Sequence, residues 1–134
     1  MITRPAGDEA FKRGNYRDAW TKYSESLDLV PNQQIAFKIY CNRAMAFVKA
    51  NRFEEGLADA EKAIQLKSDF EKAFYWKAKA LYGLRNFSDA ALCVGEGMSD
   101  FEMLLDLVVS YSRSRAFLAS PAVLAILRLQ AQPG

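Results

Sequence analysis

Cys41 and Cys93 are the two thiols of a chain that contains no histidine, and together these facts limit the chemistry available. Without imidazole there is no Ser-His-Asp or Cys-His arrangement, and the commonest general base is missing. The two cysteines lie far apart and form no Cys-x-x-Cys pair, so they indicate neither a zinc site nor a redox motif and are expected to be small buried side chains. Gly95 and Gly97 form the one glycine cluster, "GEG", which lacks the spacing and the preceding strand of a phosphate loop. The expectation is a protein with no catalytic, cofactor-binding or metal-binding residues, not an enzyme. The polar pair Asn42-Arg43 inside "YCNRAMAF" then stands out, and its meaning depends on whether that stretch belongs to a repeat.

A chain of 134 residues that is 51% hydrophobic and 25% charged can build one ordinary core. Its 18 basic and 16 acidic residues leave a net charge of +2, too balanced for a nucleic-acid surface. The first residues, "MITRPAGDEAF", have no apolar core of the length a secretory signal needs, and no run of 18 apolar residues occurs to span a bilayer. The expected setting is cytoplasmic, with no membrane partner.

A period runs through the sequence. Tyr16, Phe53 and Phe87 are each followed three residues later by a small residue, Ala19, Gly56 and Ala90, and seven further on by another, Ser26, Ala63 and Gly97. Nine residues before each aromatic stands a third, Gly7, Ala44 and Ala78. Gly56 and Ala90 are 34 residues apart; Ala19 and Gly56 are 37 apart, a difference that a longer turn at "PNQQIAF" absorbs. Such spacing predicts paired helices packed through small residues. Helices are expected at about 6–13, 16–29, 34–50, 53–66, 70–84, 87–97, 100–118 and 121–131.

This pattern resembles the tetratricopeptide repeat, with Pro31 as the proline after the second helix and Gly14 as the glycine between helices. Asn51 and Arg85 replace that glycine in the later units, and Ser68 replaces the second proline. The resemblance implies an all-α, right-handed α-solenoid of three repeats over 1–98 (about 1–33, 37–70 and 71–98), with capping helices over 99–134. "SDFE" occurs at Ser68–Glu71 and again at Ser99–Glu102, and each copy reads as a Ser-x-x-Glu capping box ahead of an apolar run. Met103, Leu104, Leu107, Val108 and Tyr111 keep helical spacing without a repeat's small residues, as a cap would, and Ser120-Pro121 opens the apolar "AVLAILRLQ".

Within the family, "FKRGNYRDAWTKYSESL", "IYCNRAMAF" and "EKAFYWKAKAL" look like the co-chaperone subgroup, particularly its J-domain-associated members. The resemblance implies a concave groove lined by the first helix of each repeat. In the subgroup, that groove clamps the Glu-Glu-Val-Asp tail of heat-shock chaperones. Carried over residue by residue, the clamp falls on Arg4, Asp8, Asn42, Lys72 and Trp76. Asn42 and Lys72 match, and Arg4 keeps the charge with a forked donor although it precedes Pro5. Asp8 replaces an amide with an acceptor-only anion, and Trp76 replaces a cation with a ring. Phe11, Lys38, Met45, Tyr75 and Lys79 complete the expected peptide-binding groove, a basic and aromatic floor suited to a mixed acidic and apolar peptide. The expected function is a non-catalytic protein-interaction module for a partner's peptide or tail, a chaperone tail among the options, acting as a monomer. The alternative is an assembly scaffold that associates, for instance as a dimer, through the apolar helix 121–131.

Overall fold

Three positive-φ residues set the turns on which the chain folds: Gly14 at 79°, Asn51 at 63° and Arg85 at 65°. Each follows a helix and closes it in the same way. The N–H of the next residue reaches back to a carbonyl five positions earlier: Asn15 to Ala10 at 2.9 Å, Arg52 to Phe47 at 2.8 Å and Asn86 to Leu81 at 2.8 Å. This left-handed closure satisfies carbonyls that the helix end would otherwise leave open. Asparagine then starts the following helix in two of the three units. Asn15 Oδ1 accepts from the Asp18 N–H, and Asn86 Oδ1 from that of Asp89.

The computed structural model describes residues 3–111, 114–121, 123–125 and 128, without the side chains of Thr3, Arg4, Phe101 and Ala116. The helices are α1 (Thr3–Lys12), α2 (Tyr16–Leu29), α3 (Phe37–Lys49), α4 (Phe53–Leu66), α5 (Glu71–Gly83), α6 (Phe87–Gly97), α7 (Phe101–Ser110) and α8 (Arg115–Leu118). A 3-10 turn, Gln33–Ala36, leads into α3. No strand occurs among the described residues, and none of their helices is long and apolar enough to cross a membrane. Each helix from α1 to α5 packs on the next in sequence, and α3 also meets α5, so the first helices of the second and third pairs lie side by side.

Small residues sit where the helices cross. Ala19, Ala44, Ala63, Ala78 and Ala90 are fully buried, and Gly56 is buried. A methyl group on Gly97 would come within 2.3 Å of the Phe74 ring, and one on Gly56 within 2.7 Å of Val48 Cγ2, so the close approach depends on their absence. Beyond α6 the chain closes the third pair: Leu104, Leu107, Tyr111, Phe117 and Val123 share one core with Phe74, Leu81, Cys93 and Met98. Each leucine taken fully out of water there contributes about 1.5–3 kcal/mol. Tyr111 stacks on Tyr82 with ring centroids 3.5 Å apart, and Phe117 stands edge-on to Tyr111 at 5.3 Å.

The capping boxes and some helix limits differ from expectation. α5 starts at Glu71 with Phe70 in the cap position and no side-chain cap bond. Glu71 Oε1 reaches instead to the start of α7, accepting the Ser99 N–H, the Ser99 hydroxyl at 3.0 Å and the Asp100 N–H at 3.0 Å. Asp100, not Ser99, caps α7 by accepting from the Met103 N–H at 3.0 Å. The local Ser-x-x-Glu pairing lost because several unpaired donors converge on one carboxylate across the turn, and aspartate caps as well as serine. The helix expected over 100–118 is two pieces. α7 stops at Ser110, and Ser114 caps α8 through the Phe117 N–H at 3.2 Å, which delivers Phe117 into the aromatic core. The stretch expected as helix over 34–50 begins with the 3-10 turn. Of the helix expected over 121–131, Pro121, Val123, Leu124, Ala125 and Arg128 have helical backbone; the rest lies outside the described residues. Val123 is buried in the same core, so this part of the stretch covers its own domain.

Candidate functional site

Lys38, Asn42, Met45 and Lys49 follow one another at helical spacing along α3, and Lys72, Trp76 and Lys79 do so along α5. The two helices bring these rows together. Lys72 lies close enough to Cys41 for its charge to act on that thiol, and Lys49 close enough to Lys79 for the two cations to oppose each other. Trp76 is half-buried between the helices, packed with Cys41 and Ala73 and edge-on to Tyr75 at 4.9 Å. Lys79 lies over both rings, 5.2 Å from the centre of Tyr75 and 5.8 Å from that of Trp76. Beside them a cleft of about 260 Å³ runs between Lys49, Trp76, Lys79 and Tyr82 toward Gly83.

The free groups on this face are few and definite. Asn42 is half-buried and its amide has no hydrogen-bond partner among the described residues, while Lys38, Lys49 and Lys72 are exposed there without an ion pair. Met45 is half-buried and adds apolar surface. The bonds that tie this stretch to other helices come from its neighbour. Arg43 forks onto Asp59 of α4 through Nε at 2.6 Å and Nη2 at 2.7 Å, and its Nη1 donates to Ser24 Oγ of α2 at 3.0 Å. The bonds it donates to Asp59 hold the guanidinium in its charged form above the usual arginine range. Burial pushes the Asp59 carboxyl up against the pull of Arg43.

On α1 the arrangement is more occupied. Asp8 Oδ1 accepts the Tyr23 hydroxyl at 2.5 Å, which ties α1 to α2, and Phe11 packs partly buried against Tyr16 with centroids 5.3 Å apart. The Arg4 side chain lies outside the described residues. At the other end, α7 enters the site. The Tyr75 hydroxyl donates to Asp106 Oδ2, and Lys79 Nζ lies 3.8 Å from the same oxygen. Burial, with that hydrogen bond, raises the Tyr75 phenol above its ordinary range; burial lowers the Lys79 ammonium despite Asp106. Lys49 and Asp106 were not among the expected groove residues. Lys49 was findable, since it continues the row of Asn42 and Met45 by helical spacing; Asp106 was not, because its place depends on how α7 docks. The thiols do not take part: burial pushes both Cys41 and Cys93 up to about 12, and the Cys93 thiol donates to the Phe74 carbonyl.

No protein-family model matches the chain. Among curated proteins it is similar to the DnaJ homolog subfamily C member 7 homolog of Schizosaccharomyces pombe, 37% identical over 89 residues, covering 66% of this chain and 19% of that protein. The chain thus spans about a fifth of that relative's length. Among solved structures it is similar to the Arabidopsis OM64 TPR domain, with a TM-score of 0.65 and 21% identity, covering 96% of this chain and 93% of the other. It is also similar to the second TPR domain of the human RPAP3 protein, solved in complex with the HSP70 peptide SGPTIEEVD. That likeness has a TM-score of 0.61 and 21% identity, covering 93% of this chain and 92% of the other. With its helix pairs, its repeated left-handed turns and these likenesses, the chain is a tetratricopeptide-repeat domain with relatives of the co-chaperone kind.

Proposed function

We propose that this domain is a non-catalytic interaction module that receives the acidic, carboxylate-ending tail of a protein partner against α3 and α5, a heat-shock chaperone tail being the first to test. The observation that supports it is the free Asn42 amide beside the free Lys72 ammonium on adjacent helices. An amide N–H and an ammonium are donors to a carboxylate, and neither is spent among the described residues. Lys38 and Lys49 extend the positive row in both directions, and Trp76 and Met45 offer apolar surface between. The RPAP3 neighbour, solved with an HSP70 peptide ending in Glu-Val-Asp, supports the choice of ligand. The absence of histidine and the raised, buried thiols support a non-catalytic role, and the reading places the module in the cytoplasm.

The experiment is a fluorescence anisotropy titration with a labelled peptide ending in Glu-Glu-Val-Asp, once with a free carboxy terminus and once amidated. The free peptide should bind in the weak range, since Trp76 and Asp8 replace two donors. Amidation should weaken it about tenfold or more, the loss of a charge-assisted hydrogen bond being worth about 1.5–3 kcal/mol. Lys72→Ala should do the same. Equal binding of the two peptides, or none by either, would overturn the reading.

A further inference from the structure

Around Gly83 the groove does not end. The cleft beside Trp76 and Lys79 shares Phe53, Tyr82 and Gly83 with a larger one of about 680 Å³, whose far side is formed by Arg85, Arg115 and Phe87. Both arginines are exposed, and neither guanidinium has an ion-pair, hydrogen-bond or ring partner among the described residues. They come from different parts of the chain, the turn after α5 and the first residue of α8, and meet on one surface.

Arg85 also sits where an arginine is costly. The matching turns carry Gly14 and Asn51, residue types that accept a left-handed backbone, whereas Arg85 holds φ at 65°. A side chain kept at a strained position on the wall of the larger of these two clefts is a mark of use rather than of folding.

We infer that Arg85 and Arg115 form a second, outer anion-binding surface that receives acidic residues upstream of a bound tail, so that the preferred partner is a peptide with a second acidic cluster. This rests on the groove reading above. From Lys72 to Gly83 α5 is about 16 Å long, at about 1.5 Å per residue. An extended peptide anchored by its carboxylate at Asn42 and Lys72 covers that in about five residues, at about 3.3 Å each. Acidic side chains about six to eight residues from the end would then face the two guanidiniums, which suit carboxylates by their forked geometry.

The test compares three labelled peptides on the whole chain: a five-residue peptide ending in Glu-Glu-Val-Asp, and two ten-residue versions whose added residues carry either three glutamates or three glutamines. The glutamate extension should bind about three- to tenfold tighter than the glutamine one at low salt. The double variant Arg85→Gly, Arg115→Gln should erase that difference while binding the short peptide as the parent does, with circular dichroism checking that it folds. If the short peptide binds but the two extensions bind equally, or if the variant keeps the difference, the outer surface is overturned and the groove stands. If the short peptide fails while the glutamate extension still binds through the arginines, the groove reading falls, and a surface upstream of a bound tail falls with it. Failure of all three peptides overturns both.

Discussion

Asn42 and Arg43 are neighbours in sequence with opposite fates. The guanidinium is consumed by Asp59 and Ser24, while the amide has no hydrogen-bond partner among the described residues. Helical geometry causes the split, because adjacent residues point about 100° apart and only Arg43 faces the side of α3 where α2 and α4 lie. The place of Asn42 in the row along α3 was legible from its repeat position. The role of Arg43 was not, since its partners lie on two other helices whose distance only the fold sets. Asp8 is a similar case. Its place on the first helix followed from the repeat frame, but its bond to Tyr23 did not. That bond makes Asp8→Asn a clean substitution, because an asparagine oxygen can still accept the Tyr23 hydroxyl. Asp8→Asn should keep the thermal midpoint and tighten binding of a Glu-Glu-Val-Asp peptide by about two- to tenfold, measured by calorimetry at low salt. At the thiols, burial makes a different prediction. With both cysteines raised from an ordinary value near 9 to about 12, neither should react with a thiol reagent at pH 8 until the chain unfolds. A folded pKa above the unfolded one means the native state holds its proton more tightly. The thiols' contribution is therefore whole below about pH 9 and is lost as pH rises toward 12. A Cys41→Ala, Cys93→Ala variant should show a shallower alkaline loss of stability than the parent.

Among the elements, the turns are the most repetitive feature and the most readable. Gly14 announced a helix end, and the same spacing placed Asn51 and Arg85 at equivalent turns although neither is glycine; the structure gives all three the same left-handed closure. Arg85→Gly should therefore raise stability by about 0.5–1 kcal/mol in urea titration, the relief of a side chain from that conformation set against the freedom glycine gains when unfolded. Asn51→Gly should change it less, because asparagine tolerates the region. The ends of the last helices were less legible. Spacing alone ran α7 and α8 together, since Leu104, Leu107 and Tyr111 keep the helical period up to the break. The break is decided by the aromatic stack of Tyr82, Tyr111 and Phe117, a contact between distant segments that no local period encodes.

In the molecule as a whole, each pair leans on the next, and the segment after α6 covers the third pair's apolar side, with Leu107 and Phe117 almost fully buried. Stability in such a stack comes largely from neighbour contacts, so an event at one end is felt mainly by the adjoining unit. The bond from Tyr75 to Asp106, with Lys79 beside it, places one such neighbour contact inside the candidate groove. Asp106 is a carboxylate already seated on the cation that an acidic ligand would seek. Ligand and α7 therefore draw on the same ammonium, and their occupancies oppose each other by thermodynamic reciprocity: whatever α7 gains by holding Lys79, a ligand reaching that residue must recover. Asp106→Asn should tighten acidic peptides about two- to fivefold, the worth of one half-exposed pair. Conversely, saturating peptide should speed hydrogen exchange at the amides of α7 while slowing it in α3 and α5. The far end of this short solenoid would then report, by its looseness, whether the groove is filled.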